Sequence, residues 1–283
     1  MELSTHDGLA YGTAGSGPTV VVLHGGLGLD HQYLRPLIDD LATLARVVWL
    51  DHRGNGQSAA PDDWSSVTMD TMADDIDGIR AAAGAERMFL LGHSYGGFLA
   101  LRYALRHPER LDGLMLASTA AHVKRPPSIP EDAPPAAVAA FSSMFQGPME
   151  SDEQWAGTWT AAFPLYAPDL DAETAAAATG STIYRADALN RSFALLGDYD
   201  VSGDLARIEA PTLLLGGGRD FLTGVAGHEE LRDGIPNAEL VVFDGGGHFP
   251  FLSDPDGYRS AVESWLRRQP AYSGASSRTP DHP

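Results

Sequence analysis

Three short segments carry the residue types of a nucleophile, an acid and a base. They are Gly92-His93-Ser94-Tyr95-Gly96, Gly216-Gly217-Gly218-Arg219-Asp220 and Gly245-Gly246-Gly247-His248-Phe249-Pro250. A serine hydroxyl attacks a carbonyl only when a base takes its proton, and a histidine serves as that base when an acid holds its tautomer. Ser94, Asp220 and His248 fit these three roles. The G-x-S-x-G pattern alone is weak. Its setting makes it specific, because it follows the apolar run Met88 to Leu91 and precedes the helical pattern Phe98 to Ala104. A serine on so tight a strand-to-helix turn needs small neighbours, and the following helix N-terminus faces any negative charge that develops beside it.

The tetrahedral intermediate of such an attack needs donors for its oxyanion. His24-Gly25-Gly26-Leu27-Gly28, after the apolar run Thr19 to Leu23, supplies backbone N–H groups that can approach a substrate closely. The N–H of Gly26 and that of Tyr95 are the expected pair, with Leu27 the alternative to Gly26. Competing residues have plainer readings. His93 adjoins the serine but points away from it along the turn, and His24 shapes its own loop. His107 lies near a helix end, and His282 lies in the tail. Asp244 is a turn residue four positions before His248. Ser118-Thr119 follow the run Leu111 to Ala117, so no carboxylate waits there. Asp51-His52-Arg53-Gly54-Asn55-Gly56-Gln57-Ser58 reads as a structural loop near the site.

The elements that must position these groups alternate short apolar strands with longer helical segments, the pattern of a mostly parallel sheet covered on both faces. The fold class is α/β. Strands are expected at Leu3 to Thr5 and Leu9 to Tyr11 around an Asp7-Gly8 turn, then at Thr19 to Leu23, Val47 to Leu50, Met88 to Leu91, Leu111 to Ala117, Thr212 to Leu215 and Leu240 to Phe243. Helices are expected at about 33–44, 69–83, 95–107, 227–233 and 255–268. In the last, Tyr258, Val262, Trp265 and Leu266 share one face. Ser94, Asp220 and His248 all follow the carboxyl ends of strands, the edge where open α/β sheets place their sites.

The alternation breaks between 121 and 201. This stretch opens with five prolines and continues in Ala-rich helical segments, so it reads as a helical lid inserted between two halves of the core, 1–120 and 202–268. Ser151-Asp152-Glu153-Gln154 looks like a helix start, and Trp155, Trp159 and Phe163 follow at i, i+4 and i+8. Most of that stripe packs on the core, with Trp155 and Trp159, together with Leu27, His93, Phe221 and Phe249, as candidates for the pocket wall. The polar tail 269–283, rich in Ser and Pro, is expected to be disordered.

Composition removes several functions. The 283 residues contain 38 Asp+Glu against 19 Lys+Arg and no cysteine, a formal charge of −19. Polyanionic partners need a basic face, so neither nucleic acid nor an anionic membrane is expected as a partner. Without cysteine there is no thiolate nucleophile, disulfide, zinc–cysteine site or iron–sulfur cluster. No cofactor and no metal is expected. The first residues have neither a basic region nor an apolar run, and no 18-residue apolar stretch occurs. The expected location is therefore the cytoplasm, and the oligomeric state stays open.

With the HGG loop, the G-x-S-x-G turn, the acid loop and the histidine loop in this order, the chain resembles the α/β-hydrolases over about residues 1 to 268. Within them it is similar to the proline-iminopeptidase-like branch, which also contains esterases and lactonases. Proline iminopeptidases usually carry Pro where Leu27 stands and often Trp where Tyr95 stands, and they hold the substrate amine with lid carboxylates. Candidates for that role here are Glu150, Asp152, Glu153, Glu173 and Asp187. Relatives acting on haloalkanes or epoxides carry Asp at the position of Ser94. The resemblance implies a serine hydrolase. The first expectation is a small, fairly apolar ester or lactone as substrate. The alternatives are an aminopeptidase releasing an N-terminal proline and a ligand sensor that turns over little.

Overall fold

A computed structural model describes residues 3–276. Its eight strands are β1 (Ser4–His6), β2 (Leu9–Ala14), β3 (Thr19–Leu23), β4 (Arg46–Leu50), β5 (Met88–His93), β6 (Leu111–Ala117), β7 (Thr212–Gly217) and β8 (Ala238–Phe243). They form one sheet in the order β1-β2-β4-β3-β5-β6-β7-β8. From β4 to β8 every pairing is parallel, and β2 alone runs the other way, pairing antiparallel with both β1 and β4. The central stretches of β3, β4, β5, β6 and β7 are apolar on both faces because both are covered, so successive side chains enter different cores. Val20, Val22, Phe89 and Leu91 enter one layer; Val21, Leu23, Met88 and Leu90 enter the other.

The helices are α1 (Arg35–Leu41), α2 (Met69–Ala82), α3 (Tyr95–Arg106), α4 (Pro135–Ser143), α5 (Asp152–Tyr166), α6 (Ala172–Gly180), α7 (Ala186–Leu196), α8 (Gly224–Gly234), α9 (Pro250–Ser253), α10 (Pro255–Arg267) and α11 (Pro270–Ser276). Helices α2 and α3 contribute Met72, Ile76, Leu99 and Leu101 to one layer. Helix α10 gives Tyr258, Val262, Trp265 and Leu266, the four residues of its apolar face, to the sheet. Helices α4 to α7 fall between β6 and β7. Ser151 caps α5 by accepting the N–H of Gln154, and Trp155, Trp159 and Phe163 are all buried.

Two segments differ from expectation. The helix expected from Tyr33 splits into a 3-10 turn at Gln32–Leu34 and α1 from Arg35, because Pro36 in the first turn favours a fresh helix start. The tail, expected to be disordered from 269, continues as α11. Tyr272 is buried there and its hydroxyl donates to the Leu44 carbonyl at 2.8 Å. Burial of that one aromatic outweighs the polar composition around it. Residues 277–283 of the expected tail lie outside those described.

Candidate active site

Strand β5 ends at His93, and Ser94 follows with φ 54° and ψ −118°, a backbone conformation that L side chains rarely adopt. The turn closes so tightly that a Cβ on Gly92 would lie 2.4 Å from the Gly96 carbonyl oxygen. One on Gly96 would lie 2.6 Å from the carbonyls of Leu23 and His24. The flanking glycines therefore let Ser94 stand off the sheet at the start of α3.

His248 Nε2 lies 2.8 Å from Ser94 Oγ, and its Nδ1 lies 2.8 Å from Asp220 Oδ2. The structure thus joins residues 94, 220 and 248, from the ends of β5, β7 and β8, in one hydrogen-bonded chain. Asp220 is buried, and four donors converge on its carboxylate. Oδ1 accepts the N–H groups of Leu222 and Thr223, while Oδ2 accepts the Thr223 hydroxyl and His248. Burial alone would raise its pKa. The His248 ring and the converging donors outweigh it and hold the carboxyl well below the usual range. The contact with Asp220 Oδ2 fixes the His248 ring through Nδ1 and turns Nε2 to the serine hydroxyl.

The residues beside this chain are locked by a second network that crosses from loop to loop. Gly25 N–H donates to the Tyr33 hydroxyl, which donates in turn to His93 Nδ1 at 2.8 Å. His93 Nε2 donates to the His248 carbonyl at 2.9 Å. Burial, and then the neighbouring His248, push the His93 pKa down to about 3, so the ring is neutral with its proton on Nε2. His93 therefore ties the glycine loop after β3 to the histidine loop after β8. This role was invisible in sequence because its partner is 60 positions away. The N–H groups of Gly26 and Tyr95 have no protein acceptor among the described residues, and both residues border the pocket.

That pocket encloses about 240 Å³ above Ser94. Of the residues considered for its wall, Leu27, His93, Trp155, Trp159 and Phe249 border it and Phe221 does not. Its ring lies between Phe141 and Tyr166, with centroids at 5.2 and 5.0 Å, in the layer behind the wall. The position next to an acid loop suggested the pocket, but the side chain turns into the aromatic cluster instead. Sequence reasoning missed Tyr33, Phe141, Tyr166, Leu189 and Phe193, which also border the pocket. Of the carboxylates considered for an amine, Glu150, Glu153, Glu173 and Asp187 are exposed, and Asp152 holds the Ala186 N–H and Arg185. None borders the pocket.

Asp30, His31 and Asp51 form a buried group whose donor atoms come close enough to share a cation. Asp51 is already engaged, with Oδ1 on the N–H and Nδ1 of His31 and Oδ2 on the Gln57 N–H, so the group is a knot between the loops after β3 and β4. Burial and then the Asp51 charge raise Asp30 from 3.8 to about 6. The folded chain therefore holds a proton at Asp30 that the unfolded chain releases between about pH 4 and 6, and stability falls as pH rises through that window. We expect Asp30→Asn to raise stability at pH 7.5 by ~1–3 kcal/mol and to give no gain at pH 4, read from denaturant midpoints. Equal destabilisation at both pH values contradicts this.

Residues 18–255 match the sequence model of the alpha/beta hydrolase fold family. A proline iminopeptidase, PfmaB, of Pestalotiopsis fici is 29% identical over 273 residues, covering 92% of this chain and 96% of its own. A Pseudomonas savastanoi pv. phaseolicola protein with the provisional name carbamate hydrolase RutD is 31% identical over 263 residues, covering 88% of this chain and 94% of its own. The structure of a thermophilic esterase from Thermogutta terrifontis superimposes with a TM-score of 0.73 at 25% identity, covering 93% of this chain and 94% of that one. No described helix is long and apolar enough to cross a membrane. An eight-stranded, mostly parallel sheet between helical layers and a match across most of the length establish that this chain belongs to the α/β-hydrolase fold family and is a hydrolase of that fold.

Proposed function

We propose that the protein is a serine hydrolase of small, largely apolar carboxylic esters or lactones, acting through an acyl-enzyme on Ser94. The observation that carries this is the 2.8 Å chain Ser94–His248–Asp220 opening into an apolar pocket that no carboxylate borders. As Ser94 Oγ attacks the substrate carbonyl carbon, His248 Nε2 takes the hydroxyl proton and Asp220 stabilises the imidazolium. The carbonyl oxygen gathers negative charge and accepts the N–H groups of Gly26 and Tyr95 at the start of α3. Collapse breaks the bond to the leaving alkoxide, which receives the proton from His248. Water then repeats the sequence on the acyl-serine and releases the acid.

Helices α4 to α7 act as the lid over this site. Trp155 and Trp159 come from α5, and Leu189 and Phe193 from α7, to shield the acyl-enzyme from bulk water. An aminopeptidase on this scaffold would need an anion facing the substrate ammonium, and the wall offers none among the described residues. We expect 4-nitrophenyl acyl esters to be turned over and free proline naphthylamide to be no better a substrate than its N-blocked form. Strict dependence on the free amine in that comparison would overturn the ester reading.

A further inference from the structure

The pocket lining carries charge. Arg125 is the one fixed charge among the described residues that border it, and His122 stands beside it. Both come from the segment that leaves β6, and Glu230 on α8 holds both from behind. Its Oε1 lies 3.2 Å from His122 Nε2, and its Oε2 lies 3.1 Å from Arg125 Nη2. Glu230 does not itself border the pocket. The guanidinium is therefore oriented by one nitrogen, while Nε and Nη1 have no protein acceptor among the described residues. A planar fork with free N–H groups matches a carboxylate better than any neutral group. In a chain of net charge −19, this site runs against the overall field.

We propose that the natural substrate is an ester or lactone bearing a carboxylate at the end remote from the scissile bond, and that Arg125 recognises it. This rests on the Ser94 reading and names its substrate class. The apolar wall between takes the carbon chain, and Arg125 acts as a specificity residue that touches no reacting atom.

The test compares kcat/KM of the full chain and of Arg125→Gln on two matched pairs. Mono-4-nitrophenyl glutarate against 4-nitrophenyl 5-methylhexanoate puts the charge on the acyl side. The second pair, 4-carboxyphenyl hexanoate against 4-isopropylphenyl hexanoate, puts it on the leaving group. In at least one pair, Arg125→Gln is expected to lower the anionic ester about 10-fold and leave the neutral one within about 2-fold. This is the lower end for a hydrogen bond to a charged group, because Arg125 is 45% exposed. Glu230→Gln, which keeps Arg125 in place, should retain the anionic preference. The proposal is overturned if Arg125→Gln affects both members of both pairs alike, or neither. A second readout does not depend on turnover. Calorimetry of 5-phenylvalerate and its amide on Ser94→Ala should show tighter binding of the acid, lost on adding Arg125→Gln. Equal binding of acid and amide overturns the assignment of Arg125 even where esters are hydrolysed. Failure of every ester, with the acid still preferred in calorimetry, overturns the Ser94 chemistry instead.

Discussion

Ser94→Ala is expected to lower kcat on 4-nitrophenyl esters by about 10⁴–10⁶-fold, the range of nucleophile knockouts in serine hydrolases, with the fold intact. The chemistry loses the atom that forms the acyl bond, and no second hydroxyl can substitute. Thr119 donates its hydroxyl to the Ser94 carbonyl, and Thr223, which borders the pocket, donates its own to Asp220 Oδ2. Stability should change little, because alanine meets the same φ of 54° as serine and the side chain lost makes only the bond to His248. Thermal unfolding together with steady-state rates checks both halves. A variant that keeps its rate refutes the mechanism; one that unfolds leaves the rate to be read in Ser94→Gly, which relaxes the positive φ.

The second large effect comes from Asp220→Asn, expected to lower kcat by about 10³–10⁴-fold, and here the hydrogen bonds dictate why. Four donors meet the carboxylate, and two of them are backbone N–H groups on Oδ1 that cannot turn away. An asparagine must put its single carbonyl oxygen there. Its NH₂ then occupies the place of Oδ2, facing His248 Nδ1. That forces Nδ1 to accept, moves the ring proton to Nε2 and points an N–H at Ser94, so the base can no longer take the serine proton. The comparable wrong-tautomer substitution in serine proteases has an effect of this size. The rates of Asp220→Asn and of the double variant with Ser94→Ala should not multiply, since the residues act as one unit. A loss below about 10-fold for Asp220→Asn would mean that the carboxylate is not needed to hold the tautomer.

What could be read from sequence was whatever is fixed by short-range geometry. The elbow declared itself because a Cβ on either flanking glycine would fall 2.4 or 2.6 Å from a backbone oxygen, and the flanking apolar strand and helix are local. Asp220 and His248 were legible because each lies in a glycine-rich turn just past a buried strand. The parallel core was legible as continuous apolar runs. The helices of the insertion were legible as elements, but not which of their faces meets the pocket, since that depends on how α5 and α7 cross the sheet edge. Phe221 illustrates the limit, as its neighbours along the chain put it at the site while Phe141 and Tyr166 draw its ring into the packed layer. Tyr272 illustrates the converse, a single aromatic anchor at Leu44 holding a helix in a segment whose composition argued for none. The Tyr33–His93 link and the Arg125–Glu230 pair, 60 and 105 positions apart, belong to the same class of long-range facts.

The central claim is that a carbonyl substrate becomes covalently attached to Ser94. The most direct measurement is rapid acid quenching during turnover of 4-nitrophenyl butyrate by the full chain, followed by digestion and mass spectrometry of the peptide containing residue 94. A butyryl adduct on Ser94 is expected to form with the burst of nitrophenol, decay at the steady-state rate and accumulate in no Ser94→Ala sample. An adduct on another residue, or nitrophenol release with no burst and no acyl-peptide at any quench time while hydrolysis stays dependent on Asp220 and His248, would contradict it.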